Sequence, residues 1–220
     1  MFEETLEGVR PKKPGQPAGN VPAADYLTRE QKFLLRSGES FDAETKRAIA
    51  EKEFQFFDAD YYFRVLLLAG RTTVLDTNNR RAVGVTNLDE NHLPNMVYMA
   101  LSKLRVSWGT DNGTNPAAVD TFTNVGNTIP AALLNAELLI RVNDKPVVEL
   151  PIAKFFNTAA TASSHTIQGT VQDSYFLDAM RLIRPTDAIT IEINCPPGIA
   201  LPAGNHFVEV RLMGASTRRR

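Results

Sequence analysis

The chain has 220 residues, of which 43% are hydrophobic and 22% are charged, and its formal net charge is −1 at pH 7. This size and composition predict a globular protein of one large or two small domains with enough apolar material for a real core. The balanced charge argues against a protein whose whole surface binds nucleic acid. The one cysteine, Cys195, allows no intrachain disulfide, and we expect neither a membrane span nor a secretory signal.

Residues 1–24 predict a flexible N-terminal arm, because prolines and glycines alternate there with polar side chains. Arg10, Lys12 and Lys13 form a small basic cluster that suits contact with a polyanion, a membrane surface or another subunit. A solvated terminus is the alternative, since three charges are a weak electrostatic signal.

Residues 25–57 predict a helical segment that packs on the rest of the fold or on a neighbouring subunit. Thr28 and Gln31 have the spacing of a capping box, and Ser40 or Asp42 starts a second helix over 43–54. The apolar stripe of that second helix is thin, which favours flat packing on a sheet.

Strand patterns begin at residue 61. Segments 61–68, 72–76, 82–86 and 96–108 predict strands, and 174–182 fits either a strand or a helix. Ile189, Ile191 and Ile193 alternate with polar residues, as do Val208, Val210 and Leu212 in a strand over 206–213. Residues 215–220 are predicted to be a basic C-terminal tip.

The strongest local signal is a hairpin over 136–152. Leu138 and Ile140 share one face of its first strand, and Val148 and Leu150 repeat the pattern in the second. Asn143 begins the connection, where Asn and Asp tolerate left-handed backbone angles. A lone hairpin is marginal in water, so this one is expected to lie in a larger sheet that is covered by a second layer.

The sequence predicts no enzyme, no cofactor and no metal site. Its three histidines are isolated, and it contains no phosphate-binding glycine loop and no nucleophile motif. In an alternative interpretation, Trp108 beside Asp111 and Asn112 forms a glycan-binding loop. The competing interpretation places Trp108 in the core, because Leu104 and Val106 share its face.

About eight strands without strand–helix alternation predict a mainly β fold, an antiparallel β-sandwich of jelly-roll type with an extended N-terminal arm and a few short helices. The single sandwich is expected to span 58–214.

The segments ADYYFRVLLLAG, AELLIRVNDKPVVELPIAKFF and NHFVEVRLMG, with the Pro-rich arm and the loops rich in Asn, Thr and Ala, resemble jelly-roll capsid proteins of icosahedral, tailless bacteriophages. The resemblance lies in the layout of residues 55–214 and not in a motif. It departs from the double-jelly-roll members in length, since 220 residues hold one sandwich.

This resemblance implies a structural virion protein, made in the host cytoplasm, that self-assembles with copies of itself into an icosahedral shell around the genome. It also implies contacts with other virion proteins, and contact with the genome, an internal membrane or another subunit through Arg10, Lys12, Lys13, Arg218, Arg219 and Arg220. The alternative function is a β-sandwich binding module, such as a spike or adhesin, that recognises a glycan or a host receptor.

Overall fold

A computed structural model describes residues 27–51, 53–124, 128–156 and 174–219. Helix α1 spans Arg29–Arg36, α2 spans Ala43–Ala50 and the short α3 spans Ala131–Leu134. The predicted capping box is present, because the Thr28 side chain accepts a hydrogen bond from the Gln31 backbone N–H and the Gln31 side chain accepts one from the Thr28 backbone N–H. Helix α2 is shorter than predicted. The predicted arm, 1–24, lies outside the described residues.

Eight strands follow in chain order. They are β1 (Phe54–Leu66), β2 (Arg71–Leu75), β3 (Met99–Asp111), β4 (Glu137–Val142), β5 (Lys145–Pro151), β6 (Tyr175–Ile183), β7 (Ile189–Asn194) and β8 (Asn205–Arg219). The predicted hairpin is confirmed as β4 and β5, with Asn143 and Asp144 at φ 50° and 62° in its turn. Segment 174–182, for which the sequence allowed a strand or a helix, lies mostly within strand β6.

The strands form two antiparallel four-stranded sheets. The order is β1-β8-β3-β6 in the first sheet and β2-β7-β4-β5 in the second. The two sheets bury one shared core, to which β4 contributes Leu138 and Ile140, β7 contributes Ile191, and β8 contributes Val208 and Val210. The predicted antiparallel β-sandwich is therefore confirmed.

The sandwich extends beyond the predicted limits of 58 and 214. Strand β1 pairs with β8 over its whole length, from Phe54 opposite Arg219 to Leu66 opposite Phe207. Through Arg219, the predicted C-terminal tip is therefore part of β8. The polar residues of the tip show no apolar alternation, so the sequence carried no strand signal there. Hydrogen bonds with β1 extend β8 through these residues.

Segment 82–86 is a turn and not the predicted strand. Its ends, Ala82 and Thr86, form an isolated bridge, and Gly84 adopts φ 81° between them. The turn lies beside β1, where the Arg64 N–H donates to the Val85 carbonyl at 2.9 Å. Short apolar alternation alone does not separate a strand from a turn that packs on one.

None of the described helices is both long and apolar enough to span a membrane.

Candidate functional site

A second, smaller apolar cluster lies on the outer face of the first sheet, beneath α1 and α2. Leu34 of α1 and Phe41, just before α2, pack there on Tyr98, Ala100 and Ala215, and all five side chains are buried. The small side chains at positions 100 and 215 leave room for the helices to approach the sheet. The helical segment thus covers one part of this face.

Hydrogen bonds between Tyr98 and Asp42 attach the helical segment to the sheet. The Tyr98 hydroxyl donates to Asp42 Oδ2 at 2.7 Å and accepts from the Asp42 N–H at 2.9 Å, while Asp42 Oδ1 accepts from the Thr45 N–H. Burial alone would raise the pKa of Asp42, but the hydrogen bonds from Thr45 and Tyr98 outweigh it and the pKa is lowered. Burial and the bond to Asp42 raise the pKa of Tyr98.

A groove of about 210 Å³ lies between the helical segment and the start of β1. It is lined by Leu35 of α1, by Phe41 and Ile49, by Phe54, Gln55 and Phe56 of β1, and by Thr217 of β8. Leu35 is 47% exposed, so an apolar side chain lies open to solvent at the mouth of an apolar groove. Monomeric proteins normally cover such a combination.

No described residue pairs with the outer edge of β1 beside this groove. On the edge of β1 away from β8, the Tyr62 N–H donates to Asn87 Oδ1 and the Arg64 N–H donates to the Val85 carbonyl. The main-chain N–H and C=O groups of even-numbered residues of β1 therefore point away from β8. Phe54, Phe56 and Asp58 precede them in the same strand and make no hydrogen bond on this edge with any described residue. The first part of β1 is therefore an open strand edge.

Each sheet also carries a nearly fully buried glutamate on its outer face. Glu209 of β8 accepts from Arg64 and Arg211, each at 2.7 Å, and Arg211 also contacts Asp60 at 3.0 Å. Burial alone would raise the pKa of Glu209, but the hydrogen bonds and charges of the two arginines outweigh it, and the pKa is lowered.

On the second sheet, Glu192 of β7 bonds Arg71 of β2 and Arg141 of β4. Burial alone would raise the pKa of Glu192, but the hydrogen bonds and charges of the two arginines outweigh it, and the pKa is lowered. Because Glu192 joins β7 to two neighbouring strands and Glu209 joins β8 to β1, we assign both clusters to holding strands together, not to chemistry.

The structure separates the predicted basic residues. Arg218 is exposed near the end of β8, opposite Gln55, and the main chain of Arg219 pairs with Phe54. These two positions therefore lie on the strand pair that borders the groove. Arg10, Lys12, Lys13 and Arg220 lie outside the described residues.

Trp108, the aromatic residue of the alternative ligand loop, is a buried residue of strand β3. Trp108 is 9% exposed, belongs to the core cluster and stacks on His206 with ring centres 5.9 Å apart. Asp111 ends β3 and accepts from the Gly113 N–H, and the Asn112 carbonyl accepts from the Asn205 side chain. The burial of the ring favours the interpretation that places Trp108 in the core.

The groove and the open edge are features that sequence reasoning missed. Phe54 was placed in a helix, although Phe54, Gln55 and Phe56 alternate as in a strand and gave the available signal. Among the described residues, no group of three or more His, Cys, Asp or Glu side chains is placed to hold a metal ion.

Comparisons of the chain with models of protein families, with curated proteins and with solved structures found no match.

Proposed function

We propose that this chain is a coat subunit of an icosahedral, tailless bacteriophage and assembles with copies of itself into the shell around the genome. The proposal includes a jelly-roll topology for the sandwich. It also places the mature protein in the virion, after synthesis in the host cytoplasm.

The observation that carries the proposal is the nesting of the strand pairs. The first strand pairs with the eighth, the second with the seventh, the third with the sixth and the fourth with the fifth. An eight-stranded antiparallel hairpin wound into two sheets has this pairing, which is the jelly-roll plan used by many viral coat proteins. The nesting supports that topology, although a fold alone does not decide a function.

The distribution of exposed apolar side chains favours assembly over a single binding site. Leu35 lies on α1, Leu68 between β1 and β2, Val83 on the turn beside β1, Phe176 on β6 and Ile199 between β7 and β8. The most exposed is Val83, at 96%. A binding module concentrates its apolar surface in one patch, whereas a shell subunit meets several neighbours through separate, moderate contacts.

The experiment that tests the proposal is the mass of the purified full-length chain by light scattering, with negative-stain microscopy of the same fraction. We expect closed shells, or discrete trimers, pentamers or hexamers. A chain that stays monomeric at every concentration, and that instead binds a glycan or a receptor, would overturn the proposal.

A further inference from the structure

The open edge of β1 and the apolar groove beside it form one surface. Phe54 and Phe56 contribute side chains to the groove, and the same two residues present unpaired main-chain groups to solvent. An extended segment laid along β1 would satisfy those groups and would place alternate side chains over the groove. The surface therefore fits a strand rather than a helix or a small ligand.

The rest of the β1 edge is already occupied, which limits where such a strand can lie. Val85 and Asn87 bond the edge at Arg64, Tyr62 and Asp60. The acceptor is thus residues 54–58, long enough for three main-chain bonding positions.

The chain itself contains a segment with the required chemistry. Residues 1–10, MFEETLEGVR, hold no proline, whereas Pro11, Pro14, Pro17 and Pro22 follow. Proline lacks the N–H that an added strand must donate. Phe2 and Leu6 share one face of an extended chain and offer apolar side chains to the groove.

The charges of the two partners are complementary. Glu3, Glu4 and Glu7 make the decapeptide acidic. Arg36 follows the lining residue Leu35, and Arg218 follows the lining residue Thr217; both arginines are exposed. Neither arginine forms an ion pair with a described residue.

The spacer between this decapeptide and α1 is long enough to reach a neighbouring copy. Residues 11–22 are rich in proline, and such spacers extend by ~3.1 Å per residue, which gives roughly 37 Å here. The chain enters α1 at its N-terminal end, and the eight-residue helix covers only about 12 Å before Leu35 reaches the groove. A spacer that can extend to three times that length is able to reach the groove of a neighbouring copy, as the assembly role proposed above requires.

We propose that residues 1–10 of one copy add as a strand to residues 54–58 of a neighbouring copy, with Phe2 or Leu6 in the groove. The proposal rests on the assembly role given above, and it names the contact that joins the copies.

Cysteine cross-linking between labelled and unlabelled full-length chains tests it. Donor variants T5C or E7C are mixed with the ¹⁵N-labelled acceptor variant Q55C, all in a C195A background, and oxidised during assembly, because these positions share the strand face opposite to Phe2, Leu6, Phe54 and Phe56. We expect mass spectrometry to find unlabelled arm peptides joined to labelled β1 peptides, at least tenfold above a T77C acceptor. Thr77 is the control because it is exposed on the turn after β2.

A second pair of variants distinguishes docking in the groove from nonspecific hydrophobic association. Leu35 and Leu68 are both about half exposed, at 47% and 53%, but only Leu35 lines the groove. We expect L35D to reduce the cross-link at least tenfold and L68D to leave it unchanged, with both variants folded as judged by circular dichroism.

The outcomes distinguish this inference from the proposed function. Assembled particles without the cross-link, or with equal effects of L35D and L68D, would overturn the docking and leave the coat role standing. Chains that carry both T5C and Q55C, mixed in labelled and unlabelled form, would assign the arm to its own chain and overturn the exchange between copies if they cross-link only within one label. A monomeric chain without cross-links would overturn both proposals.

Discussion

Trp108 is a core residue whose indole N–H finds no partner. Its Nε1 is buried without a hydrogen bond, so the ring stabilises the fold through apolar contact alone. We expect W108A to lower the unfolding free energy by about 3–5 kcal/mol through loss of burial and a residual cavity. W108F should cost only about 1 kcal/mol, since it also removes the unsatisfied donor.

Urea unfolding followed by circular dichroism measures both Trp108 variants. A folded W108A protein with wild-type stability and lost glycan binding would contradict the core assignment and restore the ligand-loop alternative.

Glu209 is the residue on which the outer charge network of the first sheet depends. Its side chain is 2% exposed and holds Arg64 and Arg211, which come from β1 and β8. Replacement by glutamine keeps the shape but leaves two arginines without their shared counter-charge. We expect E209Q to lower the unfolding free energy by about 3 kcal/mol. The control is E149Q at an exposed position of β5, which should stay within about 0.5 kcal/mol of wild type in urea unfolding.

The same glutamates set the acid limit of stability. The pKa values of Glu209 and Glu192 are lowered in the folded chain from an ordinary 4.5, so the unfolded state binds more protons as acid is added. Their contribution is complete above that ordinary value and is lost as pH falls through the lowered pKa values. We expect the urea midpoint to fall between about pH 5 and about pH 3, and to fall less in an E192Q/E209Q double variant. Equal slopes for the two proteins would contradict this assignment.

At the scale of elements, the β4–β5 turn shows how one residue serves two roles. Asn143 and Asp144 both adopt positive φ, and the Asn143 side chain also bonds Asp187 and the Ala188 N–H in the β6–β7 connection. We expect D144G to stabilise the protein by up to about 0.5 kcal/mol, because Asn-Gly suits this turn best. N143G keeps the turn but removes the side-chain hydrogen bonds to Asp187 and Ala188, and should lower the unfolding free energy by about 1–2 kcal/mol. Thermal unfolding compares the two variants, and equal effects would show that the Asn143 side-chain hydrogen bonds contribute nothing to stability.

Elements with a complete local signal could be predicted from the sequence. The capping box at Thr28, the hairpin turn at Asn143 and the alternation of Ile189, Ile191 and Ile193 each carry their own physical cause within a few residues. The end of β8 and the packing of the turn beside Val85 could not be predicted, because both depend on hydrogen bonds with β1.

The groove depended on the same long-range information. Leu35, Phe56 and Thr217 are far apart in sequence and meet only because α1 packs on the outer face of the first sheet. The burial of Glu209 and Glu192 likewise depends on arginines from other strands, Arg64 and Arg141. A pattern of single residues reports the face of a strand and not what covers that face.

At the scale of the whole molecule, the nested pairing brings distant parts of the chain to one corner. Phe54 at the start of β1 lies opposite Arg219 at the end of β8, so the C-terminal strand ends beside the helical segment and the groove. A contact made at this corner engages the open strand edge, the groove and two basic positions together.

The N-terminal segment should contribute to assembly and not to the fold. The first described residue that packs on the main core is Phe57, and the contacts of α1 begin at its cap, Thr28. We therefore expect deletion of residues 1–24 to leave the unfolding free energy in urea within about 0.5 kcal/mol of the full-length value, since every core contact among the described residues is kept. The same deletion should abolish closed particles in negative stain and shift the light-scattering mass towards single subunits, because the segment that would join copies is gone. Addition of a separate 1–24 peptide should not restore assembly, since a free peptide fills the groove without linking two copies. Normal closed particles from the truncated chain would show that other contacts, such as those at Val83 or Phe176, suffice to hold the shell.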